Sequence, residues 1–324
     1  MQVCRPILIV ISALWIAGAE SALAQGYPTK PIRFVVGFTA GGASDITARI
    51  VGQKLTEHLG QPVIIDNRAG ASGTIAGGIV AKAPPDGYTL LAGATSILAI
   101  NPALYAKLDY ASPRDFAPVS QTVSMPQLLV VHPAVKAATL KELLTLAKAR
   151  PGELNYSSSG TGSSSHLAME LLKYMTGIDV VHVPFKGSGQ AMPNLLAGQV
   201  QLVFDPMPSS LPHVKSGRLR AIAISTAARS PAIPELPTVA ESGVPGYESS
   251  LWYGVLLPAR TPPAIVAKLN QTVNAILREP DVGERFAALG AEPRGGSSAE
   301  FGEYIGTEVI KWGKVIKAVG IKAD

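Results

Sequence analysis

Ser164, Ser165 and His166 stand side by side, and a hydroxyl next to an imidazole is the raw material of acyl transfer. The spacing does not assemble it, because neighbours in a helical sequence point in different directions. No Gly-x-Ser-x-Gly elbow occurs anywhere in the chain. The five histidines lack His-x-x-x-His spacing, and the one cysteine, Cys4, falls in the first 24 residues, so no metal site, disulfide or thiol chemistry is expected. No cofactor is expected either: a dinucleotide fold needs Gly-x-Gly-x-x-Gly, and here Gly160-Thr161-Gly162 runs into three serines. A hydrolase acting on a carboxylate substrate is the alternative function, and the lack of an assembled acid, base and nucleophile weighs against it. The expectation is that the protein is not an enzyme.

What these residue types do suit is the binding of an anion. Phe34 to Arg49, FVVGFTAGGASDITAR, reads as an apolar strand, a Gly-rich turn and a helix. Gly41 and Gly42 let the chain turn and leave its backbone open to approach, with a positive φ expected at Gly42. Ser44 or Asp45 would cap the helix, whose free N–H groups carry the positive end of the helix dipole. Leu154 to His182 repeats the pattern, and both units stop at a glycine, Gly60 and Gly177. Ile46, Ile50, Val51, Leu55 and Leu59 share one face of the first helix, and Leu167, Leu171, Leu172 and Met175 one face of the second. Two such units predict two α/β lobes, an anionic ligand held between two helix N-termini, and a hinge.

Further candidates lie beyond strand ends, where open parallel sheets bind ligands. Asn67 and Ser72 occupy a small-residue loop, where they either contact ligand or set a turn. Thr95 and Ser96 follow the strand Tyr88 to Gly93. His166 lies in the first turn of a helix, and a neutral imidazole bonding backbone is the favoured reading there. Asp45 serves as a cap or as a ligand contact. Asp205 ends an apolar strand, and a carboxylate there is costly unless it bonds backbone N–H groups or reads a donor on the ligand.

The supporting elements follow in order. Arg5, the apolar run Ile7 to Ala19 and Ala22-Leu23-Ala24 form an export signal, with cleavage expected after Ala24 and a periplasmic location. No later stretch reaches the ~20 apolar residues that a membrane span needs. Lys and Arg total 28 against 23 Asp and Glu, which favours anionic ligands. They are scattered, so no nucleic acid is expected. Val119 to His132 and Ser249 to Pro258 read as two extended crossings between lobes, giving residues 25–124 plus 252–324 as lobe 1 and 125–251 as lobe 2. Helices near Pro263 to Arg278 and Ser298 to Ala318 pack back on lobe 1. An adhesion or structural surface protein would need neither hinge nor cleft.

From Tyr27 onward the chain resembles the receptors of the tripartite tricarboxylate transporter type, the Bug or TctC-like family. The stretches that carry this are FTAGGASDITAR at 38 to 49, DNRAGASGTIA at 66 to 76, GTGSSSHLAMELL at 160 to 172, the run from 182 to 205, and WYGVLLPA at 252 to 259. The resemblance implies a two-lobe periplasmic binding protein, type II-like, with a two-strand hinge and a carboxylate held between the Gly-rich loops. Its contacts would be Phe38, Gly41, Gly42, Ser44 and Asp45 from the first lobe, and Ser158, Gly160, Thr161, Gly162, Ser163, Ser164 and His166 from the second. Asp205 matches an acidic position facing the cleft. The family usually carries Pro at the place of Thr39 or Ala40, and the departure frees N–H groups at the pocket wall beside Thr39. The implied partners are a small carboxylic acid and the membrane subunits of such a transporter, with the receptor itself a monomer.

Overall fold

The computed structural model describes residues 26–321. The expected leader, its cleavage site and Cys4 lie outside them. The first apolar run forms β1 (Ile32–Val36), which pairs in parallel with β2 (Val63–Asn67) and β3 (Thr89–Ala94). Between β1 and β2 runs α1 (Ala43–Leu59), which buries Ile50, Val51 and Leu55 fully and Ile46 and Leu59 in part. Burying one such side chain is worth about 1.5–3 kcal/mol, and truncating Leu55 to Ala would cost roughly 2–5 kcal/mol. Gly60 ends the helix with φ +67, the left-handed conformation that a side chain disfavours. After β2 come α2 (Thr74–Ala81) and, beyond β3, a wide turn at Ser96–Ile100 that winds into the short α3 (Asn101–Leu104).

The crossing expected near Val119 is a single strand, β4 (Phe116–Val131), which carries Pro126 without a break. Its first part pairs antiparallel with β9 (Ser250–Pro258), and its last residues, Gln127 to Val131, pair with β7 (Leu202–Pro206) and β8 (Arg220–Ile224). One strand therefore belongs to both halves of the molecule. The second half repeats the first: α4 (Leu140–Ala149), β5 (Asn155–Ser158), α5 (Ser164–Thr176), β6 (Val181–Pro184), α6 (Ser188–Leu196), then β7 and α7 (Met207–Lys215). In α5 Leu167 and Leu172 are buried and Leu171 partly so, whereas Met175 is exposed. After β9 the chain returns through α8 (Pro263–Leu277), α9 (Pro280–Ala288), β10 (Glu292–Gly295) and α10 (Ser298–Val319).

Strand order β2-β1-β3-β9-β4-β7-β5-β6 gives a mixed α/β fold in two lobes. One core combines residues 27–125 with 251–316 and takes only Leu167 from between, while the other two cores draw on residues 128–247. Where the chain recrosses, Ser225 ties the strands together: its Oγ accepts from Gln127 N–H and donates to the Ser249 carbonyl. The hinge is two strands held at a buried serine.

Candidate functional site

The β1–α1 loop turns at Gly41, with φ +79, while Gly42 sits in extended conformation at φ −82 and ψ 167. This corrects the expectation of a positive φ at Gly42. It also corrects the cap: Gly42 is the N-cap residue, and neither Ser44 nor Asp45 caps through its side chain. Asp45 instead reaches back to accept from Gly41 N–H at 3.0 Å, from Arg49 Nε at 2.9 Å and from Asn67 Nδ2 at 3.0 Å. Burial pushes the Asp45 carboxyl up, but the bonds from Arg49, Gly41 and Asn67 outweigh it and hold the group below the usual carboxylate range. Asn67 also donates to the Phe38 carbonyl, so both residues brace the loop.

Opposite lies the β5–α5 loop. Ser163 caps α5 by accepting from His166 N–H, and its Oγ lies 3.0 Å from Ser165 Oγ, which accepts from Ser159 N–H. His166 Nδ1 accepts from Gly162 N–H, which requires a neutral ring, and burial lowers its pKa to about 4. His182, stacked on it at 4.1 Å, is lowered to about 3 by burial and its neighbour and bonds Ser158 Oγ. His166 thus bonds the backbone of its own loop, the reading favoured for an imidazole in the first turn of a helix. Ser158 likewise serves Gly160 N–H and His182.

A third loop joins these two. Gly187, the N-cap of α6, takes φ +150 and packs so closely on Thr39 that an added Cβ would meet its Oγ1 at 2.6 Å. Ser188 opens α6, and its Oγ lies 3.2 Å from Ser159 Oγ.

The helices α1, α5 and α6 therefore aim their N-termini at one narrow cleft. Phe38, Gly42, Ser44, Ser96, Ser163 and Ser164 line it, as do Ser159, Ser188 and Tyr253, which sequence reasoning had not singled out. Among the described residues its lining includes no charged side chain. Ser44 Oγ is buried and finds no hydrogen-bond partner there, and Thr39 Oγ1 of the same loop has none either. Buried polar atoms are almost always paired, so an unpaired hydroxyl beside free N–H groups marks where an acceptor belongs.

The remaining candidates sit elsewhere. Thr95 exchanges hydrogen bonds with the backbone of Trp252, and Ser72 and Thr161 meet at the cleft mouth. Gly160 and Gly162 pack against Ser72 and Leu104 of the other half, where no Cβ would fit comfortably. Asp205 is 1% exposed behind the cleft, bonded by Ser209 Oγ, and burial raises its pKa to about 6.

Comparison with known proteins fits this geometry. Residues 47–321 match the profile described as tripartite tricarboxylate transporter family receptor. BugT of Bordetella pertussis is 39% identical over 319 residues, covering 97% of this chain and 98% of its own. An R. palustris protein solved with adipate superimposes with a TM-score of 0.89 at 42% identity, over 91% of this chain and 99% of that one. MatC from Rhodopseudomonas palustris, solved with bound malate, gives 0.86 at 34% identity, over 90% and 100%.

Proposed function

The chain belongs to the tripartite tricarboxylate transporter receptor family, and from that premise we propose that it captures a small carboxylic acid between its lobes and delivers it to a membrane transporter or sensor. The observation that carries this is the unpartnered Ser44 hydroxyl at the N-terminus of α1, facing the serines that open α5 across the cleft. A carboxylate there would accept from Ser44 and from first-turn N–H groups of both helices, gaining charge-assisted bonds without any lysine or arginine. Adipate and malate, the acids held by the two solved relatives, are the first candidates.

The lobes of this reading are residues 25–124 with 252–324, and 125–251, which the separate cores support, the first core also taking in Met125, Leu167 and Leu251. The protein works in the periplasm after cleavage behind Ala24, as a monomer, with transporter membrane subunits as partners and without nucleic acid. Among the described residues no helix is long and apolar enough to cross a membrane. It is a receptor and not an enzyme: the hydroxyls of Ser163, Ser165 and Ser158 are committed to loop bonds, and His166 spends its Nδ1 on Gly162.

A thermal-shift screen against carboxylic acids tests this. At a hundredfold excess over Kd, a cognate acid stabilises the protein by about 2.7 kcal/mol. Chromatography should recover the acid unchanged. A shift with no acid, or conversion of the acid, contradicts the reading.

A further inference from the structure

The start of α6 meets the β1–α1 loop backbone to backbone. A Cβ added at Gly189 would run into the Ala40 carbonyl oxygen and lie 2.9 Å from Thr39 Oγ1. One added at Gly187 would meet Thr39 Oγ1 at 2.6 Å and the Thr39 nitrogen at 2.9 Å. Non-bonded carbon atoms settle at about 3.5–4.0 Å, so neither contact has room for a side chain. The contact joins the two halves of the molecule: Met192 and Leu195 of α6 belong to a core of the second half, while Phe38 and Ala43, on either side of Thr39 and Ala40, belong to the core of the first.

The two glycines stand on different footings. Gly187 holds φ +150, where a side chain is strained whatever the space around it. Gly189 is a residue of α6 outside the positive-φ region, and a helix favours every residue except proline over glycine. Its own backbone therefore gives no reason for glycine, and the approach of the Ala40 carbonyl does. That approach also shapes the cleft. Ser188, between the two glycines, lines it, and from Gly42 an added Cβ would find Gly189 N at 3.6 Å and Ser188 Cβ at 3.7 Å. The first N–H groups of a helix have no partner within it, so docking sets those of α6 beside those of α1.

We propose that Gly189 is the residue that lets the lobes close on a ligand. Its missing side chain admits the Ala40 carbonyl and so carries Ser188 and the α6 N-terminus up to the β1–α1 loop. A side chain at this position holds the two apart while leaving the core of each half untouched. Gly189 is a positioning residue: it acts through where it puts Ser188 and the free N–H groups of α6. The role rests on the carboxylate-receptor reading above.

The test compares the wild type with Gly189→Leu and with Gly306→Leu, a control on α10 where nothing lies within 4 Å of an added Cβ. The full chain is titrated calorimetrically with malate and with adipate, and small-angle scattering is recorded with and without acid. Gly189→Leu should melt no lower than wild type, since leucine suits a helix better than glycine. It should bind at least about tenfold more weakly, because affinity scales with the fraction of protein able to close. At an acid concentration that saturates the wild type, its radius of gyration should be the larger. Gly306→Leu should bind as the wild type does. Gly189→Ala, whose Cβ already meets the Ala40 carbonyl, stands in under the same criterion should the leucine variant not fold. A loss of less than about tenfold in Gly189→Leu overturns the proposal, as does an equal loss in Gly306→Leu. Should the wild type bind neither acid, it is the carboxylate reading that suffers, and the glycine is judged on the free proteins: a larger radius of gyration in Gly189→Leu upholds its role, and an equal one overturns it.

Discussion

Ser72 Oγ lies 2.5 Å from the carbonyl oxygen of Thr161, so a hydroxyl of the first lobe donates across the cleft mouth into the Gly-rich loop of the second. Tyr105 OH reaches the same carbonyl at 3.3 Å. Ser72 holds φ +51 and Ala71 φ +43, a conformation that costs non-glycine residues roughly 1–3 kcal/mol and is kept where surrounding structure demands it. The two lobes are therefore tied by a direct hydrogen bond between their loops. Ser72→Ala should shift the resting population toward the open form, raising the apparent Kd for a bound acid about three- to tenfold, because affinity scales with the competent fraction. Small-angle scattering of the free protein should show a larger radius of gyration; unchanged scattering and affinity would make the contact incidental.

The stacked histidines make stability fall with acid. Both have folded pKa values below the ordinary 6.5, about 4 for His166 and about 3 for His182, so the unfolded chain binds more protons between those values and 6.5. Stability is complete above 6.5 and declines as pH drops toward 4. Asp205, raised to about 6, works the opposite way: its contribution is present at low pH and is lost as pH rises from 3.8 through 6. Two groups outweigh one, and the net loss from pH 7 to pH 4 should be on the order of 3 kcal/mol. Denaturant unfolding across this range checks it, with His182→Gln expected to flatten the slope. A flat wild-type profile would contradict the buried neutral pair.

Asp45 is the brace of the first loop. Asp45→Ala leaves Gly41 N–H without its acceptor and Asn67 Nδ2 with only the Phe38 carbonyl, and should cost about 1–3 kcal/mol of stability while weakening acid binding through a looser loop. Asp45→Asn, which keeps one acceptor oxygen, should recover part of both. Equal stability of Asp45→Ala and wild type would show that the brace carries nothing.

Much of this was legible in the sequence because period and punctuation agreed: Ile50, Val51 and Leu55 fall on one helical face and Gly60 stops it, as found. The element α7 was not legible, since Pro208 and Pro212 in MPSSLPHVK argue for a loop, yet Pro208 occupies the first turn and the helix is short. The cleft serines of α5 could be read from their place before an apolar helix. Ser188 was missed although it opens α6 just as Ser164 opens α5; the signal was the glycine before it, Gly187, at the N-cap. Asp45 and His166 each left two readings open for a shared reason. Polar residues at a helix start satisfy the local backbone as readily as a ligand, and only distances separate the two uses.

The most direct test of the central claim compares two adjacent glycines by calorimetric titration with the acid found in the thermal-shift screen. A Cβ at Gly42 would sit 3.4 Å from the Thr39 carbonyl oxygen and 3.7 Å from Ser188 Cβ, and the backbone there, at φ −82, suits a β-branched residue. Gly42→Val should therefore fold with nearly normal stability while its methyl groups fill the cleft and abolish binding. Gly41 has open space around its Cβ but φ +79, so Gly41→Val should lose about 1–3 kcal/mol of stability and still bind. Loss of binding in Gly42→Val alone is the predicted result. Full affinity in Gly42→Val would mean that the acid is held somewhere other than between these helix N-termini.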